Sequence, residues 1–247
     1  MKKTNHLLSW LCLGFMIPFF GMAQNTEVAY YNWFDAQVGV ENSGLFNGKE
    51  YIDLDRASSN NFKFLETPRF VTGSVSYNGQ QYYDVDLKYN VWDDLLVIKL
   101  PNDGSEVILT PVKEYTKGFT IGSHQFVHVN DSVAKALDKN GFYELLQERT
   151  HYTLYKKYQK SRSNKVEGNR SYFVYRDSKP IFFLKYNQQF IQIGSKRDLI
   201  KIFPQYKKEI NSVRDNVLKN DPNATENYLK NLLGHVEKLL SNEINTK

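Results

Sequence analysis

The sequence predicts a mainly β fold: an antiparallel meander forming a sandwich or partial barrel, with two to three C-terminal helices packed on it. Three observations predict it. The stretch from Phe70 to Thr110 reads as four strands joined by turns. Short alternating runs at turn spacing continue from there to Ile193. At Ser195 the apolar period lengthens, and the chain ends in helix over about 195–241.

In the first strand of the meander, Val71, Val75 and Tyr77 share one face, opposite Thr72, Ser74 and Ser76. In the second, Tyr83, Val85, Leu87 and Tyr89 oppose Asp84, Asp86, Lys88 and Asn90. Such strands bury one side and wet the other. Asn78-Gly79 between them is the dipeptide of a two-residue type I′ turn. That turn pairs Val75 with Tyr82 and sets an apolar face against a polar one. A three-residue loop, Tyr77-Asn78-Gly79, pairs Ser76 with Gln80 and Val71 with Val85, and the apolar faces then agree. The alternation therefore predicts the longer loop, with Gly79 left-handed. A turn at Trp92-Asp93-Asp94 leads to Leu95–Leu100, apolar on both faces except Lys99, as in a central strand. Asn102-Asp103-Gly104 turns the chain into Ser105–Thr110.

Met1-Lys2-Lys3, an apolar core from Leu7 to Phe20 and small residues at Gly21 and Ala23 read as a secretory signal peptide over residues 1–23, cleaved between Ala23 and Gln24. The apolar run is short for a membrane span of about 20 residues. Cys12, the only cysteine, lies inside this segment and follows Leu11 rather than a small residue, which excludes lipidation. The remainder has neither disulfide nor thiol chemistry, and 24–247 reads as a single domain large enough for a full core. Net charge is +5, from 32 basic and 27 acidic residues, too balanced for a nucleic-acid binder. Aromatic content is 15%, which strand propensity explains.

Residues 24–61 read as a lead-in with a helical turn, a strand over Glu50–Leu54 and a polar loop over Arg56–Asn61. After the meander, Gly118–Ile121 and Gln125–Val129 pair around Gly122-Ser123. A short helix is expected over Val133–Leu137. Phe142–Gln147 and His151–Gln159 form a hairpin; Lys160–Arg170, polar and basic, reads as a mobile loop. Tyr172–Arg176 and Ile181–Tyr186 flank a turn at Asp177–Pro180, and Gln189–Ile193 closes the β part. Ser195 with Asp198 starts a helix that ends before Pro204; a second runs over Gln205–Lys219. Asn223 and Glu226 form a capping box ahead of a last helix. Its stripe of Tyr228, Leu229, Leu232, Leu233, Val236, Leu239 and Leu240 packs on the sheet.

The chemistry-bearing residues are sparse. His124 and His128 have chelating spacing on a helix but lie on a strand, about 13 Å apart, so one ion does not bridge them. His151 and His235 stand alone in the sequence, and no metal or cofactor is expected. Among the acidic pairs Asp53/Asp55, Asp84/Asp86 and Asp93/Asp94, only Asp84 and Asp86, about 6.6 Å apart on one strand face, suit a glycosidase pair. With Lys88 they describe a solvated strand face, which is the favoured reading. No nucleophile elbow, phosphate loop or dinucleotide fingerprint occurs. Lys156, Lys157, Lys160, Arg162, Lys165 and Arg170 read first as a solvated loop and otherwise as a basic set suited to anionic glycan or lipid phosphate; Tyr82 and Trp92 read first as core residues and otherwise as candidates to stack on sugars.

Gly73–Gly79, Tyr83–Asn90, Asp94–Val97, Gly141–Leu146 and Ser195–Pro204 resemble a family of exported β-rich proteins of Bacteroidetes with no assigned activity. The resemblance implies the envelope or exterior of a Gram-negative cell, a pyroglutamate at Gln24, and O-glycosylation at Asp131-Ser132-Val133; it carries no catalytic or binding residues. The expected function is a non-catalytic periplasmic or secreted protein that binds an envelope protein or a glycan, with no transmembrane span after processing. The alternatives are a carboxylate-dependent hydrolase of glycans and an outer-membrane-associated β protein. The last is disfavoured by the polar helical C-terminus and the charged strand faces.

Overall fold

The computed structural model describes residues 23–39, 42–55, 60–129, 141–213 and 223–245. The signal segment before Ala23, residues 56–59 of the Arg56–Asn61 loop, the Val133–Leu137 helix, the Asp131-Ser132-Val133 triplet and residues 214–219 of the expected second C-terminal helix lie outside them.

The chain opens with helix α1 (Ala23–Val38), a 3₁₀ turn (Gly44–Asn47) and the short strand β1 (Lys49–Glu50). The meander follows as β2 (Val71–Tyr77), β3 (Gln80–Asn90), β4 (Leu95–Asn102) and β5 (Ser105–Thr110), with β1 beside β5 at the edge. The chain then returns: β6 (Thr116–Ile121) pairs with β2, followed outward by β7 (His124–Val129), β8 (Gly141–Glu148) and β9 (Tyr152–Lys157). β10 (Lys160–Glu167) and β11 (Arg170–Asp177) leave as a separate hairpin. β12 (Ile181–Tyr186) rejoins beside β9, and β13 (Gln189–Ile193) ends the sheet. The result is one eleven-stranded antiparallel sheet, in the order β1-β5-β4-β3-β2-β6-β7-β8-β9-β12-β13. Helices α2 (Lys196–Ile202), α3 (Lys207–Ser212) and α4 (Ala224–Asn245) complete the fold.

The sheet curls hard. β3 and β8 are four strand spacings apart, roughly 19 Å if flat. Yet the Tyr89 and Phe142 rings have centroids 6.2 Å apart. Phe119 and Phe126 fill the space between, stacked at 4.8 Å. This aromatic cluster, with Leu87, Leu96, Ile98 and Leu45 of the 3₁₀ turn, is the core of the first half of the sheet. The expectation of a mainly β fold with C-terminal helices holds, and the curl gives it the character of an open barrel.

The second half is covered differently. Tyr152, Leu154, Phe182, Leu184 and Ile193 meet Leu199, Phe203, Ile210 and the α4 stripe of Leu229, Leu232, Leu233, Val236 and Leu240. Each such leucine contributes about 1.5–3 kcal/mol on burial, so the stripe packs on the sheet as its periodicity implies. Behind it, Tyr143, Tyr155, Phe183 and Phe190 form a smaller cluster on the opposite face.

The hairpin register corrects the expectation. Tyr77 pairs with Gln80 and Val75 with Tyr82 around a two-residue Asn78-Gly79 turn, both residues at positive φ. The apolar pattern is rescued by a bulge: Gly73 pairs with Val85 and Val71 with Leu87. The extra residue on β3 lets Tyr82, Val85, Leu87 and Tyr89 all point inward and turns Tyr83 away. Turn chemistry set the near end and burial the far end. Asp84 in the bulge takes φ +53.

Other expectations also change. The lead-in is a helix rather than a turn, and the Glu50–Leu54 strand shrinks to Lys49–Glu50. Lys160–Arg170 is no mobile loop: β10 and β11 pair from Lys160↔Asp177 to Glu167↔Arg170. The strands flanking Asp177–Pro180 pair not with each other but with β10 and with β9 and β13. Of the expected helix over Gln205–Lys219, the described part is a 3₁₀ turn followed by α3.

Candidate functional site

Among the described residues, four polar constellations stand out, and three of them are built on ion pairs within the fold. The first is Asp94, which follows β3 at φ +55. Its Oδ1 accepts hydrogen bonds from the Tyr89 hydroxyl (2.6 Å) and the Phe142 amide (3.3 Å) and pairs with Lys157 (2.8 Å); its Oδ2 faces Lys113 (3.2 Å). One carboxylate thus bolts the meander to β8 and β9 across the curl. Burial, and then Asp94, push the Tyr89 phenol well above its ordinary value.

The second lies on the seam between the two halves of the sheet. Glu144 of β8 and Lys156 of β9 are cross-strand partners, and both are buried. Glu144 Oε1 meets His124 Nδ1 at 2.7 Å, while Lys156 reaches Glu226 of α4 at 2.8 Å. Glu226 also accepts from Lys230 at 2.6 Å. Burial alone raises its pKa, but the two lysines override this and hold it below the ordinary value. The carboxylate expected to cap α4 is therefore a bridge to the sheet. His124 Nε2 faces Glu66, at φ +49, at 3.0 Å, and the Tyr158 hydroxyl lies 3.4 Å from Nδ1. The hydrogen bond to Glu144, joined by the charges of Glu144 and Glu66, raises the His124 pKa against the effect of burial. Burial and Glu144 push Tyr158 upward too. This arrangement can hold a proton, but both imidazole nitrogens already face carboxylates.

The third binds the β10–β11 hairpin to the body. Lys63, buried, sits between Asp53 (2.8 Å) and Asp55 (2.9 Å). Burial lowers its pKa; the two carboxylates more than compensate and keep it above lysine's ordinary value. Tyr175 donates to Asp55 at 2.7 Å, and its phenol is pushed up to about 12, by burial first and then by Asp55.

The fourth constellation is open. A cavity of about 280 Å³ lies between α1, the 3₁₀ turn, β3 and β4, lined among others by Asn32, Tyr82, Tyr83, Asp84, Lys99 and Leu100. Asn32 Nδ2 donates to Asp84 Oδ2 at 2.6 Å. The β3 bulge aims Asp84 at the helix. Tyr31 of α1 lies against Tyr83, ring centroids 5.9 Å apart.

The structure separates the expected glycosidase pair. Asp86 is held by Lys99 (3.2 Å) and accepts from Thr72 (3.2 Å); Asp84 turns to Asn32. Asp53 and Asp55 serve Lys63, and Asp93 accepts from Asn90 at 2.7 Å. The basic set is no single patch. Lys156 and Lys157 are in interior ion pairs, Lys160 pairs with Asp177, and Arg162 stacks over Trp92 and Phe173; Lys165 and Arg170 remain exposed on the hairpin. Tyr82 is buried, and Trp92 packs edge-on against Tyr175. His151 is not isolated: it meets Glu237 of α4 at 3.0 Å. Among the described residues, no group of three or more His, Cys, Asp or Glu is placed to hold a metal ion.

Glu66, Glu144 and Tyr158 of the seam, Asn32 of the cavity and Tyr31 beside it carry no signal in the sequence, and Glu226 reads there only as a cap. Their partners lie tens of residues away, and only the curl and the α4 docking unite them. Among the described residues no helix is long and apolar enough to cross a membrane. Compared with known proteins, the chain matches no family profile, no curated protein and no solved structure.

Proposed function

We propose that this is an exported protein of the cell envelope, periplasmic or secreted, that acts by binding rather than by catalysis, with the cavity between α1 and the β3–β4 edge as its site. The observation that carries this reading is the contrast among the four constellations. The groups capable of acid–base work are held in ion pairs within the fold, whereas in the cavity the exposed Asp84 meets only the neutral amide of Asn32 among the contacts described, beside the ring of Tyr83. Concave, largely apolar pockets with a few convergent polar groups are the usual form of a ligand site. Export rests on the signal-like segment before Gln24 and on the resemblance to exported Bacteroidetes proteins. The eleven-stranded order has two ends, β1 and β13, and an aromatic interior, which favours an unclosed sheet over a lipid-spanning barrel.

The competing reading is a hydrolase in which Asp84 acts with Asp86. Its support is that Asp84 lines the cavity; against it, Asp86 is engaged by Lys99 and Thr72. The test is incubation of the purified protein with envelope extract, scoring retained components and turnover of glycan and peptide bonds side by side. The binding reading expects a retained component that is lost with Tyr83→Ala, and no turnover. Turnover that vanishes in the Asp84→Asn, Asp86→Asn double variant, with the fold intact, overturns it.

A further inference from the structure

A succession of ring contacts leads from the surface of α1 to the cavity wall. Trp33 and Tyr30, both exposed on α1, have ring centroids 6.3 Å apart. Tyr30 follows Tyr31 at 6.1 Å, and Tyr31 follows Tyr83 at 5.9 Å. Tyr83 is in the cavity wall, beside the hydrogen-bonded pair Asn32–Asp84. The track therefore starts on open surface, 58% exposed at Trp33, and ends at a carboxylate and an amide.

We infer that this track and cavity bind a neutral, uncharged-sugar oligosaccharide, its terminal ring in the cavity and its following rings along Tyr31, Tyr30 and Trp33. The inference rests on the binding function proposed above and names its ligand class. Sugars present two chemistries at once: axial C–H groups that lie on aromatic faces, and paired hydroxyls. A carboxylate accepts from two hydroxyls, and an amide both donates and accepts. Asp84 and Asn32 supply that pair, and they now satisfy each other at 2.6 Å, a contact that a hydroxyl can replace. Tyrosine and tryptophan give large rigid contact area at small entropic cost. Charge argues for a neutral ligand. Lys99, the cation in the lining, is held by Asp86 and Glu106 at 3.2 and 2.9 Å, so Asp84 faces an incoming anion without a counter-charge. An extended apolar peptide would use the rings but leave the Asp84 carboxylate desolvated.

The experiment is isothermal calorimetry of the full-length processed protein with linear neutral gluco-, manno- and xylo-oligosaccharides of two to six rings. Uronic-acid oligomers and an aromatic-rich peptide serve as controls. Affinity is expected to rise with chain length through the track and then level off. Asp84→Asn keeps the bulge, because asparagine tolerates positive φ, and should weaken binding at least tenfold. Trp33→Ala, on open helix surface, should leave the melting temperature unchanged and abolish the gain from the longer chains. If no neutral oligosaccharide binds, or if uronic-acid oligomers or the peptide bind in its place, the inference is overturned. In that event a component retained from envelope extract in a Tyr83-dependent way leaves the broader binding function standing; absence of any such component removes both.

Discussion

The two halves of the sheet bury the same face by different means. From β1 to β7 the strands curl until rings from β3, β6, β7 and β8 meet, and one 3₁₀ leucine closes the gap. From β8 to β13 the sheet needs α2, α3 and α4 to cover it. Phe142 on β8 belongs to the first core, and two residues on Glu144 begins the polar seam. The lesson is one of geometry. Rings on closely neighbouring strands meet one another inside a tight curl, whereas the side chains of a more open surface require a second layer. The seam between these solutions holds interior charges beside opposite ones.

If Asp94 and the seam join the halves, damage there should bring both down together. Gly141 is the place to test this. A Cβ on Gly141 would overlap the Asp94 carboxylate and crowd the Lys157 ammonium. Gly141→Ala therefore displaces the Asp94 carboxylate, disturbing its contacts with Lys113, Lys157 and Tyr89. Stranding charges of this kind costs on the order of 4 kcal/mol. Chemical denaturation should show the loss as one transition. Hydrogen exchange should rise in β3 and β12 alike. Protection retained in β3 alone would mean that Asp94 does not couple the halves.

Leu232 sharpens the comparison from the other side. It is fully buried in the helical layer, and Leu232→Ala should cost about 3 kcal/mol through the cavity it leaves. Exchange should then accelerate in β12 and β13 before β3 and β4, since the curled core keeps its own contacts. Equal acceleration throughout would merge the halves into one cooperative unit. An unchanged melting temperature would show that the α4 stripe is not packed as described.

How much of this was legible in the sequence follows the range of the forces involved. The strands, the turns at Asn78-Gly79, Asn102-Asp103-Gly104 and Gly122-Ser123, and the α4 stripe are written in local patterns. The bulge at Asp84 was not, because alternation and turn preference conflicted and a single inserted residue satisfied both. The Lys160–Arg170 strand pair was hidden by its polarity: it is held by backbone bonds and by Arg162, Trp92 and Tyr175 rather than by an apolar face. Of the candidate site, Asp84 was visible as a charged strand residue, but its partner Asn32 and the aromatic track belong to a helix that read only as a lead-in. Sequence distance, here 52 residues between Asn32 and Asp84, carries no local signature.

A smaller effect probes the first half alone. Gly79 takes φ +81 in the two-residue turn, and no atom stands near where a Cβ would go. Gly79→Ala then costs only the left-handed conformation, about 1 kcal/mol. The fold should persist, with Val75 still opposite Tyr82 by cross-strand NMR contacts. A shift to a Ser76–Gln80 pairing would show that the glycine, and not burial of Tyr82, sets the register.

The smallest expected effect concerns the seam and is a matter of pH. His124 titrates above its ordinary value in the folded protein because Glu144 first, and Glu66 with it, favour the protonated ring. A raised folded pKa means that protonation stabilises the fold. The contribution is complete below the unfolded histidine value of about 6.5 and is lost as pH rises through the folded value. Glu226 works in the opposite direction: its lowered pKa contributes stability above the ordinary glutamate range, lost as pH falls through its folded value. The seam should therefore hold best between these two limits, in mildly acidic solution. His124 is partly open to water and Glu66 is largely exposed, so solvent screening should keep the His124 share below about 1 kcal/mol. Comparing the wild type with His124→Gln by urea denaturation, the stability gap should be widest near pH 6 and close toward pH 9. A gap that instead widened with rising pH would mean that neutral His124, packed against Phe126 and Tyr158, is the form the seam selects. The ring would then be a packing element and not a charge.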